Sequence, residues 1–220
     1  MLFVEFRFLA FFGLVLAACW ALRHNGARKT FLLLASYAFY AAWDWRFLGL
    51  ILLSTVVDGL AGRRIHEADE DDTRRRAWLG LSLAVNLGIL VTYKYFDFFA
   101  GSLNALLDWL GLGSSLPILN LVLPVGISFY TFQSMSYTID VYRCQVSAAR
   151  NFIDFACFVS MFPQLIAGPI VRYRDVETEI RDRHPTFDDF VAGIRLFIIG
   201  LGKKMLIANV VAQPVDLIFA

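Results

Sequence analysis

Three features of this sequence predict an all-α fold, that of a polytopic helical membrane protein. Hydrophobic residues make up 58% of its 220 residues and the mean hydropathy is +0.60, whereas soluble domains are about 45–50% apolar. Charged residues account for only 18%, and they gather between long apolar runs rather than scatter through them. The 21 Phe, 8 Tyr and 5 Trp suit rings placed both in hydrocarbon and at its interfaces. Within this class, the pattern predicts one re-entrant broken helix and short interfacial helices.

Residues 2–22 are apolar apart from Glu5 and Arg7. An acid before the apolar core, and Trp20 and Leu22 at its end, fit an uncleaved first span better than a signal peptide. Arg23, Arg28 and Lys29 follow, which predicts a cytoplasmic first loop and an N-terminus outside. Apolar runs at 30–43 and 47–62 are divided by Trp43-Asp44-Trp45-Arg46. Spanning takes roughly 20 residues, so these short runs read as tilted helices joined by an aromatic turn at the outer interface. Asp58 lies inside the second run and is expected to face protein or a polar cleft.

Arg63 to Arg76, RRIHEADEDDTRRR, reads as a solvated cytoplasmic loop. The next span covers 77–93, with Asn86 as its one strongly polar group, and ends in the interfacial run Tyr93-Lys94-Tyr95-Phe96-Asp97-Phe98-Phe99. Leu103, Leu106, Leu107, Leu110 and Leu112 then recur near helical spacing, as in a short helix on the outer surface.

Leu123 to Arg143, LPVGISFYTFQSMSYTIDVYR, is apolar enough for a bilayer yet carries Ser128, Thr131, Gln133, Ser134, Ser136 and Thr138. Polar groups in hydrocarbon need internal partners, so this helix is expected to be buried against other helices or a polar cavity. Tyr130, Gln133, Tyr137 and Asp140 recur at intervals of three, four and three along one face. Helix-to-helix hydrogen bonding alone also accounts for such a face. Asp140 and Arg143, three apart, read as an ion pair at the helix end.

From Asn151 the chain reads NFIDFACFVSMFPQLIAGPIV, and Pro163 and Gly168-Pro169 break any helix there. Arginines flank it on both sides, at Arg143 and Arg150 and again at Arg172 and Arg174. If both flanks are cytoplasmic, the segment dips into the membrane and returns; a kinked full span is the competing reading. Gln164 at the break needs partners. Thr186-Phe187-Asp188-Asp189 is a helix start, and the apolar remainder makes one span or two pieces. Lys203 and Lys204 meet an anionic headgroup or phosphate, or anchor the helix at the interface. The final Leu217-Ile218-Phe219-Ala220 has no polar tail, as expected of a fragment.

Several functions are disfavoured. A net charge of +1 with no basic stripe argues against nucleic acid as a partner. Cys19, Cys144 and Cys157 show no metal or disulfide spacing. His24, His66 and His184 all fall in expected loops, so no buried histidine base is placed and no metal site is read.

The two central motifs, together with LLLASYAFYAAWDWRFL, YKYFDFF and GLGKKMLIAN, resemble the membrane-bound O-acyltransferase (MBOAT) family, and within it the bacterial alginate O-acetylation branch. The resemblance covers essentially the whole chain, read as the N-terminal part of one MBOAT-type transmembrane domain, residues 1–220. It implies a multi-pass inner-membrane enzyme in membrane lipid that transfers acetyl groups from acetyl-CoA or another acyl thioester, with no bound cofactor. It further implies a polysaccharide acceptor and a periplasmic acetyltransferase partner. Another branch carries D-alanine to teichoic acids.

The family's histidine lies in an apolar helix in the second half of a longer protein, so no catalytic residue is transferred to this chain. Residues 1–220 alone are expected to be inactive. Ser128, Tyr130, Gln133, Tyr137, Asp140, Arg143, Gln164 and Arg172 are the expected tunnel or support residues. A transporter component, whose hallmarks include broken helices, and a purely structural membrane subunit are the non-enzymatic alternatives.

Overall fold

The computed structural model describes residues 6–68, 71–113, 116–183 and 185–219, without the side chains at 166, 167, 213 and 216. Every regular element among them is helical: α1 (Phe6–Ala21), α2 (Asn25–Asp44), α3 (Leu48–Glu67), α4 (Asp72–Lys94), α5 (Phe96–Trp109), α6 (Ile127–Tyr142), α7 (Phe152–Ser160), α8 (Phe162–Ala167), α9 (Tyr173–Arg181), α10 (Phe187–Lys203) and α11 (Asn209–Phe219). Two compact units result, Met1–Asp182 and Arg183–Ala220.

Helices run further than the apolar patterns alone predict, because a helix continues through a charged flank until something caps it. Thus α2 and α3 are 20 residues each, about 30 Å at 1.5 Å per residue. Asp44 breaks them apart: its backbone is extended, at φ −158°, and its side chain accepts from the Arg46 N–H. The stretch Asn25–Glu67, interrupted there, and Asp72–Lys94 are long and apolar enough to cross a bilayer. Residues 63–76, expected as a loop, are mostly helix ends. Asp71 caps α4 by accepting from the Arg74 N–H at 3.1 Å, and the i,i+4 pairs Arg63–Glu67 and Arg76–Asp72 hold the charges on helix surfaces. His66 consequently lies in the last turn of α3 rather than in a loop. The surface helix expected around Leu103 starts earlier, at Phe96, almost without a break from α4.

In the first unit, α3, α4 and α6 form a tight trio, and α7 wedges between α2, α3 and α6. Glycine sets one spacing: a Cβ on Gly62 would lie 2.5 Å from the Tyr137 ring. The core gathers Tyr40, Ile51, Ile65, Tyr130, Tyr137, Phe155, Phe158 and Tyr173. Within this unit, the end made by the α1–α2 and α3–α4 links carries Arg28, Lys29, Arg63, Arg64, Arg75 and Arg76, whereas the opposite end has Arg7, Arg46 and Lys94.

Contacts along 151–181 show the path of the broken segment. It starts at the basic end, where Lys29 donates to Asp154. It reaches the N-terminus of α6, where the Leu165 carbonyl lies against Gly126. It then returns: Arg172 meets Asp140 near the C-terminus of α6, and Asn25 donates to the Arg181 carbonyl at 2.6 Å. The segment therefore leaves and rejoins the same end of the unit.

The second unit begins with the expected helix start, a reciprocal capping box between Thr186 and Asp189. From Phe187 to Phe219 it is helical without interruption, with a π-helical turn at Lys204–Ala208 that contains the second of the two lysines.

Candidate functional site

Burial of α6 is nearly all-round, with ten of its 16 residues buried. Its start is fixed by Gly126 in the left-handed conformation at φ 75°, where a Cβ would lie 2.9 Å from the Leu165 carbonyl oxygen. Only glycine meets both conditions without strain.

The break between α7 and α8 explains why glutamines face each other here. Met161 leaves the helix with ψ 115°, and Pro163 has no N–H to give. Carbonyls and amides released by the break must be satisfied inside the protein. Gln133 donates its Nε2 to the Phe158 carbonyl at 2.6 Å, and Ser36 Oγ accepts from the Phe162 N–H at 3.2 Å. Gln164 donates its Nε2 to Gln133 Oε1 at 3.2 Å and to the Pro169 carbonyl at 3.4 Å. Both polar ends of the Gln133 amide are therefore engaged, one on the backbone of α7 and the other on the side chain of α8.

One turn further on, Tyr137 packs between Phe155, tilted against it at 4.4 Å between centroids, and Tyr173, edge-on at 5.1 Å. Its hydroxyl accepts from the Ala149 N–H at 2.9 Å, which ties the link after α6 back to the core. Asp140 pairs with Arg172 at 4.0 Å. That corrects the Asp140–Arg143 pair expected from spacing: Arg143 is the C-cap of α6 and its side chain is exposed. Tyr130 is fully buried, and its hydroxyl has no hydrogen-bond partner among the described residues.

Of the eight expected residues, Gln133, Gln164, Tyr137, Asp140 and Arg172 thus converge on the broken segment. Ser128 accepts from Lys94 at 3.4 Å at the opposite end of α6. Among the described residues this face of α6 packs against α7 and α8 and, through Tyr137, against Tyr173 of α9. His24 and His66 sit at helix ends, and His184 and Glu5 lie outside the described residues. Among the described residues no three His, Cys, Asp or Glu side chains gather as metal ligands.

Two polar clusters were not legible as clusters. Asp58, fully buried in α3, accepts from Ser82 at 2.6 Å and Asn86 at 2.8 and 2.9 Å, both in α4, and from Ser134 in α6. Ser54 donates to Asn86 Oδ1 at 2.6 Å, and Thr138 meets Ser82 at 3.1 Å. The signal was the i,i+4 pairs Ser82/Asn86 and Ser134/Thr138 beside a lone intramembrane acid. The second is the Lys29–Asp154 pair, with Asp154 only 1% exposed. Separately, a cavity of about 330 Å³ lies at the basic end, between Ile65, His66, Arg75, Val141 and Cys144.

Known proteins resemble this sequence. It is 43% identical over 193 residues to the probable alginate O-acetylase AlgI of Azotobacter vinelandii, an alignment that covers 88% of this chain and 38% of that protein. It is 40% identical over 220 residues to the protein of the same name from Pseudomonas aeruginosa, covering 100% of this chain and 42% of the relative. A Helicobacter pylori protein named peptidoglycan O-acetyltransferase is 34% identical over 215 residues, 86% of this chain and 40% of its own length. The chain spans about two-fifths of the length of these curated relatives. No family model matches it, and no solved structure does.

Proposed function

This chain is a relative of the alginate O-acetylases, and from that premise we propose that it belongs to a membrane-bound O-acyltransferase that O-acetylates an exopolysaccharide of the alginate type. The observation that carries this reading is the braced break: in a chain 40% identical to such proteins along its whole length, Gln133 and Gln164 brace a broken helix inside the core. Irregular backbone at membrane depth is tolerated only where protein or a cavity satisfies it. Such a site suits passage of a small acyl group across the bilayer.

The same reading assigns orientation. Basic residues concentrate at cytoplasmic ends, so the end that carries Arg28, Lys29, Arg63, Arg64, Arg75 and Arg76 faces the cytoplasm, the N-terminus is outside, and the segment 151–181 is re-entrant from the cytoplasmic side of the inner membrane. An acyl thioester such as acetyl-CoA is the donor. A periplasmic acetyltransferase completes transfer to the sugar. No histidine of this chain is given a catalytic role. The Helicobacter pylori relative's name favours one second reading, peptidoglycan as the acceptor.

The test is complementation. In a strain whose own O-acetylase is deleted, the intact protein restores acetyl esters on alginate, and Gln133→Leu reduces them while membrane levels hold. Esters found on peptidoglycan alone support the second reading, and normal acetylation by Gln133→Leu overturns the role of the braced break.

A further inference from the structure

The side-chain donors of the α3–α4–α6 network converge on Asp58. Ser54 donates to Asn86 Oδ1, and the Asn86 amide nitrogen donates to both oxygens of Asp58. Ser82 and Ser134 also donate to Asp58. Ser82 spends its one hydrogen on Asp58, and the Thr138 hydroxyl, 3.1 Å from Ser82 and 3.0 Å from the Met135 carbonyl, divides its one hydrogen between them. Asp58 therefore meets donors only, from Ser82, Asn86 and Ser134, and it is the one carboxylate among these residues. Among the described residues, no cation is one of its hydrogen-bond partners.

A carboxylate is a costly way to hold three apolar helices together, since desolvation of a buried charge often outweighs its attractions. What it supplies is direction. Helix α6 is buried nearly all round and is polar on two neighbouring stripes, Gln133 and Tyr137 toward α7 and Ser134 and Thr138 toward α3 and α4. A rotation of about 100°, one residue of an α-helix, would exchange Gln133 for Ser134. Hydrophobic pattern alone does not forbid that exchange, because both stripes are polar. Asp58 does: Ser134 donates to it and Thr138 meets Ser82 beside it, contacts that a rotated α6 would break, and a half-satisfied network is worse than an apolar one.

We propose that Asp58 is a positioning residue, which fixes the rotation of α6 and so delivers Gln133 to the break between α7 and α8. As a contribution to acyl transfer this rests on the function proposed above; as a statement about α6 it does not. Asn is not an equivalent replacement, for its amide nitrogen would confront the Asn86 and serine donors.

The test is thiol bridging of Gln133→Cys to Gln164→Cys by a short bis-methanethiosulfonate in the intact protein, with Cys19, Cys144 and Cys157 replaced by Ala. With Asp58 present the bridge forms. In Asp58→Asn it falls about tenfold, since bridging depends steeply on geometry, while helical content and monodispersity persist. If Asp58→Asn fails to fold, a second variant removes the whole network, Asp58→Leu with Ser82→Ala, Asn86→Leu and Ser134→Ala. That variant is expected to fold and still to lose the bridge. An undiminished bridge in either folded variant overturns the proposal, as does failure of both to fold, which would assign the network to stability alone. Loss of the bridge in a protein that never acetylates leaves the positioning role standing and removes the acyltransferase reading.

Discussion

Gln133 in α6 and Gln164 in α8 are joined side chain to side chain at 3.2 Å, and Gln133 reaches on to the Phe158 carbonyl at 2.6 Å. A helix interruption within an apolar segment is thereby held by two amides 31 residues apart in sequence. Truncating either one leaves a buried polar group unsatisfied, at about 1–3 kcal/mol. Gln133→Leu and Gln164→Leu are therefore each expected to lower thermal stability in detergent. The double variant is expected to cost less than the sum, with a coupling of about 0.5–3 kcal/mol. Strict additivity would mean the two side chains act independently.

Gly62 is a packing requirement. A methyl group there would meet the Tyr137 ring at 2.5 Å, and Tyr137 is itself held by Phe155, Tyr173 and the Ala149 N–H. Gly62→Ala should destabilise the protein by about 1–3 kcal/mol through overpacking. Gly80, whose Cβ would meet nothing within 4 Å, should tolerate Ala. Fluorescence-detected thermal shifts of the two variants compare them directly.

Lys29 and Asp154 tie α2 to the start of α7, with side chains 15% and 1% exposed. Removing only the lysine strands a buried carboxylate, which typically costs about 3–5 kcal/mol. Lys29→Met should thus be more damaging than the double change Lys29→Met with Asp154→Leu. Denaturation midpoints of the two, measured in the same detergent, decide it.

Much of this fold was readable in the sequence because its punctuation is chemical: Asp44, Pro163, Gly168 and Thr186 stop or start helices where their chemistry requires. Helix lengths were less legible, since apolar runs mark what tolerates lipid and not where capping occurs, so 63–76 read as a loop. The face of Tyr130, Gln133, Tyr137 and Asp140 could be placed by spacing alone. Its partners could not. Spacing along one helix paired Asp140 with Arg143, whereas the fold returns Arg172 from 32 residues away. The Asp58 network was hidden for the same reason, as its donors come from helices distant in sequence.

Thr186 and Asp189 offer a pH test at the start of α10. Hydrogen bonds from the Thr186 side chain and backbone lower the Asp189 pKa below its ordinary value. For a depressed carboxylate, stabilisation is complete above the unfolded value, about 3.9, and disappears as pH falls through the folded one. The first turn of α10 should hold at neutral pH and fray only in strong acid. Amide chemical shifts of residues 187–190 report it, and Thr186→Ala should move the fraying to higher pH.

The account rests most heavily on the path of residues 151–181, which leave the basic end of the unit and rejoin it. Single cysteines at Asn151, Arg181 and Trp45, in intact cells and in inverted membrane vesicles, can be labelled with a membrane-impermeant maleimide. Positions 151 and 181 should label only in inverted vesicles, and position 45 only in intact cells. Labelling of 151 and 181 from opposite sides would make the segment a full span and contradict the re-entrant site.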